Sequence, residues 1–222
     1  MKVIPFYYND DDDLFANTYI LIDAKNQCVV IDPSKQYDGI INYIKKNNLT
    51  LKGILLTHGH IDHIRGVDLL VNEFNVPVYI GFNEEKVIRN AHYNCSIWFD
   101  ESYYYQNELT FVSDNENLNL LDERIICIET PYHTQGSICY YFPDSGFLFT
   151  GDFLFKGSVG RSDLPTGTPK TLNASMSKLL TLPDITKIYP GHGPSSTLKE
   201  EKMSNPYIHW NINILLKYEC LI

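Results

Sequence analysis

No apolar run in this sequence of 222 residues is long enough to cross a bilayer, which takes roughly 20 consecutive apolar residues as a helix. The opening Met1-Lys2-Val3-Ile4-Pro5-Phe6 is too short for a secretory leader and reads as a strand. With no leader of that kind, the cytosol is the expected compartment. Basic residues are also scarce: 18 Lys and Arg stand against 27 Asp and Glu, for a net charge of −9. A nucleic-acid partner that needs a basic footprint is therefore disfavoured. The five cysteines, Cys28, Cys95, Cys127, Cys139 and Cys220, form an odd set without a C-x-x-C pair. They read as reduced thiols, with Cys28, Cys127 and Cys139 acting as small hydrophobes in apolar runs. There is no convincing Ser- or Cys-centred triad, no internal repeat and no linker. What remains is a chain with an ordinary apolar share of 44%, of a length that fits one domain or a compact unit of sheets and helices.

The informative stretch is Thr57-His58-Gly59-His60-Ile61-Asp62-His63, directly after the apolar run Ile54-Leu55-Leu56. Such a strand ends where polar ligands begin. In extended backbone, side chains two apart point the same way, so His58 and His60 can close on one metal ion. Asp62 and His63 lie further along and reach a second ion beside it. A lone histidine is usually a surface or core residue; three in six positions, alternately spaced, are a ligand cluster. Neutral imidazoles with a carboxylate suit Zn, and also Fe or Mn.

This stretch resembles the H-x-H-x-D-H signature of the metallo-β-lactamase superfamily, and later matches extend the resemblance over nearly the whole chain. Pro131-Tyr132-His133-Thr134-Gln135-Gly136-Ser137 is similar to the family's G-H-T-x-G-S loop, with Tyr132 for the usual Gly and Gln135 for the usual Pro, changes expected at the pocket mouth. Gly151-Asp152 at a strand end resembles the family's bridging aspartate, and Pro190-Gly191-His192-Gly193 its last histidine. Gly160-Arg161-Ser162-Asp163-Leu164-Pro165 resembles a loop of the glyoxalase II-like and persulfide dioxygenase branch, with Leu-Pro leaning toward small hydrolases. Glu201 followed by Asn205-Pro206-Tyr207 is like that branch's E-x-x-x-N-P-[FY] tail.

The resemblance implies an α/β fold, a four-layer αββα sandwich of two mixed sheets with the metal site at one edge. It implies His58, His60 and His133 on one ion, Asp62, His63 and His192 on the other, and Asp152 bridging them. Asp62 also orients the attacking water. Arg161 either recognises an anionic substrate group or anchors its loop through Asp163. His92 and His209 stay unassigned. The implied activity is that of a glyoxalase II-like binuclear metallohydrolase with two divalent ions, Zn first and Fe or Mn open. A metal-bound hydroxide would attack a small thioester such as S-lactoylglutathione, whose thiolate leaves readily. The alternative is an iron-dependent persulfide dioxygenase-like oxidoreductase. Donors limited to N and O lack the cysteine ligand of several β-lactamases, which counts against that activity. A single domain over 1–222 is expected, without the C-terminal helical glutathione-binding domain of full glyoxalase II. The expected partner is a small-molecule thioester, with no nucleic acid and no membrane, for a monomer or homodimer.

Periodicity supplies a coarse map. Strands are expected over 1–6, 15–23 and 28–32, the last ended by Asp32-Pro33, and over 52–56, 77–80, 125–130, 147–152 and 187–189. Helices are expected over 37–47, 65–74, 171–180 and 208–218, and one from Glu84 capped by Asn83. The run Asn9-Asp10-Asp11-Asp12-Asp13 reads as a solvated loop. Residues 91–106, rich in Tyr, Trp and Phe, form either a substrate wall or a packed surface loop.

Overall fold

In the second strand Tyr19, Ile20, Leu21 and Ile22 are apolar in sequence and all buried, so its sheet must be covered on both faces. The computed structural model describes residues 1–8, 15–35, 38–100 and 102–208. The acidic run 9–13, His209, Cys220 and nearly all of the expected helix 208–218 lie outside these.

The first sheet has six strands in sequence order. β1 (Lys2–Phe6), β2 (Thr18–Ile22) and β3 (Gln27–Ile31) are antiparallel neighbours; β4 (Thr50–Leu55), β5 (Val78–Gly81) and β6 (Thr110–Val112) continue parallel to β3. The crossovers carry α1 (Asp38–Lys46), α2 (Ile61–Ile64), α3 (Val67–Phe74) and α4 (Glu85–Ile88). In the second sheet β7 (Asn117–Leu118), β8 (Ile125–Glu129), β9 (Ile138–Phe142) and β10 (Phe147–Gly151) run antiparallel in succession. A ribbon of β11 (Leu154–Phe155) and β12 (Ser158–Val159) follows, and then α5 (Leu172–Leu180). β13 (Lys187–Pro190) pairs parallel to β10, and β14 (Ser196–Thr197) closes that edge before α6 (Leu198–Ser204).

Strand alternation sorts the apolar residues into three layers of core. Tyr19, Leu21, Val29, Ile31 and Leu55 of the first sheet meet Cys127, Tyr140, Phe142 and Phe149 of the second. Ile20, Val30 and Ile54 point the other way, onto Ile40, Ile44 and Leu70 of the first helical layer. Cys139, Tyr141, Leu148 and Ile188 face Met176 and Leu179 of α5. The result is the expected αββα sandwich. The four described cysteines are free and buried, and burial pushes the Cys28, Cys127 and Cys139 thiols up to about 12.

Two local expectations are corrected. The helix read over 65–74 is a single helix that starts two residues later, at Val67, because Gly66 turns its amide to the Pro33 carbonyl at 2.7 Å and separates α3 from the short α2 before it. Asn83 is not a helix cap; it sits inside a 3₁₀ turn, Phe82–Glu84, with no side-chain cap, and only its carbonyl is used, by Gln135.

Candidate metal centre

Four connections leave the two sheets at one edge and bring seven donor side chains together. They follow β4, β8, β10 and β13, and carry His58 to His63, His133, Asp152 and His192. His58, His60 and His133 form one group; Asp62, His63, Asp152 and His192 form another, each with donor atoms within 4.8 Å of one another. All seven residues predicted from the sequence are thus brought together, as two candidate metal sites. His92 stands apart on the surface, its amide capped by Asn90.

In the first group His60 Nδ1 lies 3.1 Å from His58 Nε2 and 2.9 Å from His133 Nε2. Tetrahedral metal–nitrogen bonds of ~2.0–2.1 Å put ligand atoms roughly 3.3 Å apart, so this spacing suits one ion among three nitrogens. In the second group His63 Nε2 lies 3.2 Å from Asp152 Oδ1 and 3.5 Å from Asp62 Oδ2. His192 Nε2 lies 3.1 Å from Asp62 Oδ2. The other oxygen of Asp152 is 3.6 Å from both His133 Nε2 and His192 Nε2, so this carboxylate reaches both groups. His63 Nε2 and Asp152 Oδ1 are buried without a hydrogen-bond partner. Buried polar atoms are seldom left unsatisfied, and a cation between them resolves both.

The groups behind the imidazoles fix which nitrogen faces inward. His63 Nδ1 donates to Asp32 Oδ2 at 2.9 Å and His133 Nδ1 to the Arg161 carbonyl at 2.7 Å. The Thr57 hydroxyl donates to Asp32 Oδ2 at 2.7 Å, so at 3.2 Å it accepts from His58 Nδ1. For His58 and His133 this leaves Nε2 as a bare acceptor toward the cluster, and for His63 it turns Nε2 inward. Asp32 also takes the Thr57 amide at 2.8 Å and so holds the whole ligand turn. Asn17 does the same for the last histidine: its side chain donates to the carbonyls of Pro190 and Gly193 at 3.1 and 2.9 Å. Neither residue was found by sequence reasoning. The available signal for Asp32 was a carboxylate ending an apolar strand; Asn17 gave none.

The two groups differ in charge. Burial, with His63 and the other histidines beside it, holds the His58 imidazole well below its usual range, and burial beside His133 takes His60 down to about 3. Both are neutral, as ligands must be. At Asp62 burial opposes ionisation, but His63 and the hydrogen bond from His192 outweigh it and hold the carboxyl at about 2. Asp152 is likewise held low against burial, by His192 and His63. Those carboxylates in turn raise His63 and His192 despite burial.

Beside the centre opens a cleft of about 560 Å³, walled by Cys95, Trp98, Phe99, Phe155, Leu164 and Arg161. The aromatic stretch therefore lines the site, with Trp98 52% exposed on its face. Arg161 edges the cleft, yet its guanidinium makes a bidentate pair with Asp163 at 2.7 and 2.8 Å. Phe155 belongs to the β11–β12 ribbon, and the tail motif explains its placement. Buried Glu201 accepts the Gly157 amide at 2.8 Å, while Asn205 Nδ2 donates to Glu201 at 2.8 Å and to the Ser158 carbonyl at 3.0 Å.

The family model described as Metallo-beta-lactamase superfamily matches residues 11–192. Over 196 residues the chain is 36% identical to a probable metallo-hydrolase, YqgX, of Bacillus subtilis, covering 87% of this chain and 92% of that one. It is 32% identical to the hydroxyacylglutathione hydrolase GloC of Haemophilus influenzae, again covering 87% and 92%. Among solved structures, the BLEG-1 B3 metallo-beta-lactamase superposes with a TM-score of 0.86 at 31% identity, over 93% of this chain and 99% of that one. TTHA1623 in a di-iron-bound form gives 0.82 at 31% identity, over 92% and 99%.

Proposed function

The chain belongs to the metallo-β-lactamase superfamily, and from that premise we propose that it is a binuclear metal-dependent hydrolase of small thioesters such as S-lactoylglutathione. The observation that carries this reading is the pair of donor groups joined by Asp152 at the floor of an open cleft. His58, His60 and His133 would hold one ion, Asp62, His63 and His192 the other, with Asp152 between. When bound, two divalent ions supply Lewis acidity that lowers the pKa of water and polarises an acyl carbonyl. The chain does the rest. Asp62, held ionised at about 2 and 21% exposed, is placed to orient a water molecule and accept its hydrogen bond. A thiolate leaves without strong acid help, so no general acid is required on the far side. Trp98, Phe99, Phe155 and Leu164 keep bulk water from one side of the cleft and give an acyl or thiol arm an apolar wall.

The likeness to hydroxyacylglutathione hydrolase GloC supports thioester hydrolysis, and the likeness to a di-iron-bound structure keeps iron open beside zinc as the native metal. A persulfide dioxygenase needs one iron on two histidines and a carboxylate; the presence of a second donor group favours hydrolysis. The direct test is S-lactoylglutathione hydrolysis with metal content determined on the same sample. Turnover should track two ions per chain and disappear in Asp152→Ala. Oxygen uptake with glutathione persulfide on a single iron would replace the hydrolase with the dioxygenase. Hydrolysis of a β-lactam without thioester turnover would discard the substrate.

A further inference from the structure

The first donor group is assembled from loops of different sheets, 58–60 after β4 and 133–136 after β8. Both close on Glu84, in the turn that follows β5, and Glu84 is fully buried. Its Oε2 accepts the Gly59 amide at 2.8 Å, and its Oε1 accepts the Gly136 amide at 2.8 Å. Thr134 adds a side-chain hydrogen bond to the same carboxylate. Alongside, Gln135 Nε2 donates to the Asn83 carbonyl at 2.8 Å. The packing is backbone against backbone. A Cβ on Gly59 would lie 2.9 Å from the Ile88 nitrogen, and one on Gly136 would lie 2.7 Å from the Glu84 nitrogen. Neither loop has room to shift.

Among the described residues no cationic side chain acts on Glu84; only burial and hydrogen bonds do. A buried carboxylate is costly unless its charge is compensated. The neighbouring group is three uncharged imidazoles, its one carboxylate, Asp152, is shared with the second group, and it would place a cation beside the loops that Glu84 holds. We propose that Glu84 is a positioning residue for the first metal group, locking the 58–60 and 133–136 loops together and adding counter-charge to that of the shared Asp152. This rests on the reading of His58, His60 and His133 as metal ligands.

Glu84→Gln keeps the size of the side chain but turns an NH₂ against one of the two amide donors. Metal-free protein is titrated with Co²⁺ against a competing chelator, in a His192→Ala background for the first group and a His133→Ala background for the second. Loss of an outer hydrogen-bond partner typically weakens metal binding about 10- to 100-fold, and that loss is expected at the first group alone. Gln135→Ala, at the surface, should weaken the same group about fivefold, as for one ordinary hydrogen bond, without changing metal-free melting. Should Glu84→Gln not fold, Gln135→Ala decides the matter. Co²⁺ binding to neither group in the parent protein would remove the metal reading itself. Two groups in the parent, with variants that bind as the parent does or weaken both groups equally, would overturn the role of Glu84 alone.

Discussion

At His63 burial and charge pull in opposite directions. Burial favours the neutral ring, while Asp62, Asp152 and Asp32 favour the imidazolium and win, so its proton affinity is raised. His192 follows the same pattern, whereas His58 and His60 are held neutral, the latter down to about 3. The signs differ accordingly. In metal-free protein the His63 and His192 protons contribute stability below the ordinary histidine range, and this is lost as pH rises through their raised values. His58 and His60 instead destabilise the fold once pH falls below that range toward their lowered values, about 3 for His60. A metal ion competes with protons only where protons are bound. Lowering pH from about 8 to about 5.5 should therefore release the ion of the second group first, while the first group keeps its own. Metal content after dialysis at stepped pH measures this, with His192→Ala marking the ion that stays. Simultaneous loss of both ions, or earlier loss from the first group, would contradict the charge assignment.

At the scale of elements, the sequence made legible whatever sits in one continuous stretch. The ligand turn after β4 is a strand followed by its own donors, and the loops at His133, Asp152 and His192 each end a recognisable apolar run. What stayed hidden are the contacts the braces make, those of Glu201 included although its tail motif was legible, because each acts over a long separation. Asp32 holds Thr57 from 25 residues away, Glu84 holds Gly136 from 52, and Glu201 holds Gly157 from 44. Two-residue strands such as β7, β11, β12 and β14 carry no readable period and exist because a neighbour supplies their hydrogen bonds. β9 is different: Ile138-Cys139-Tyr140-Tyr141-Phe142 is a plain apolar run, overlooked because it directly follows a motif loop. α6 is short but doubly capped, with Thr197 and Glu200 exchanging hydrogen bonds across its first turn. That cap sets Glu201 and Asn205 on the side facing the β11–β12 ribbon, which carries Phe155 to the cleft. Asn205→Ala would leave the Ser158 carbonyl without this buried donor, at a cost of about 1–3 kcal/mol. The expected result is lower thermal stability and a higher KM with unchanged metal content, read by melting, kinetics and metal analysis. Loss of metal in this variant would mean that α6 braces the donors themselves.

For the whole molecule, the two sheets share one apolar layer, and the donors join them a second time at its edge. His58, His60 and His63 come from the first sheet; His133, Asp152 and His192 come from the second. The apolar layer draws on side chains away from the donors, Tyr19, Tyr140 and Phe149 being buried between the sheets. The edge is another matter. There, clustered imidazoles and carboxylates face one another in a buried space, an arrangement that bound cations make more favourable. An ion that binds the folded chain alone adds about 2.7 kcal/mol at a free concentration 100 times its Kd. One kcal/mol moves the melting temperature of a chain this size by roughly 2–4 °C. Chelation should therefore lower the melting temperature by roughly 5–10 °C per ion removed, without loss of sheet and helix content by circular dichroism at room temperature. The Asp152→Ala protein, lacking the carboxylate common to both groups, should melt near the chelated value and respond little to further chelator. If chelation instead unfolded the protein at room temperature, the apolar layer would be too weak to hold the sheets alone, and the metals would be structural as well as chemical.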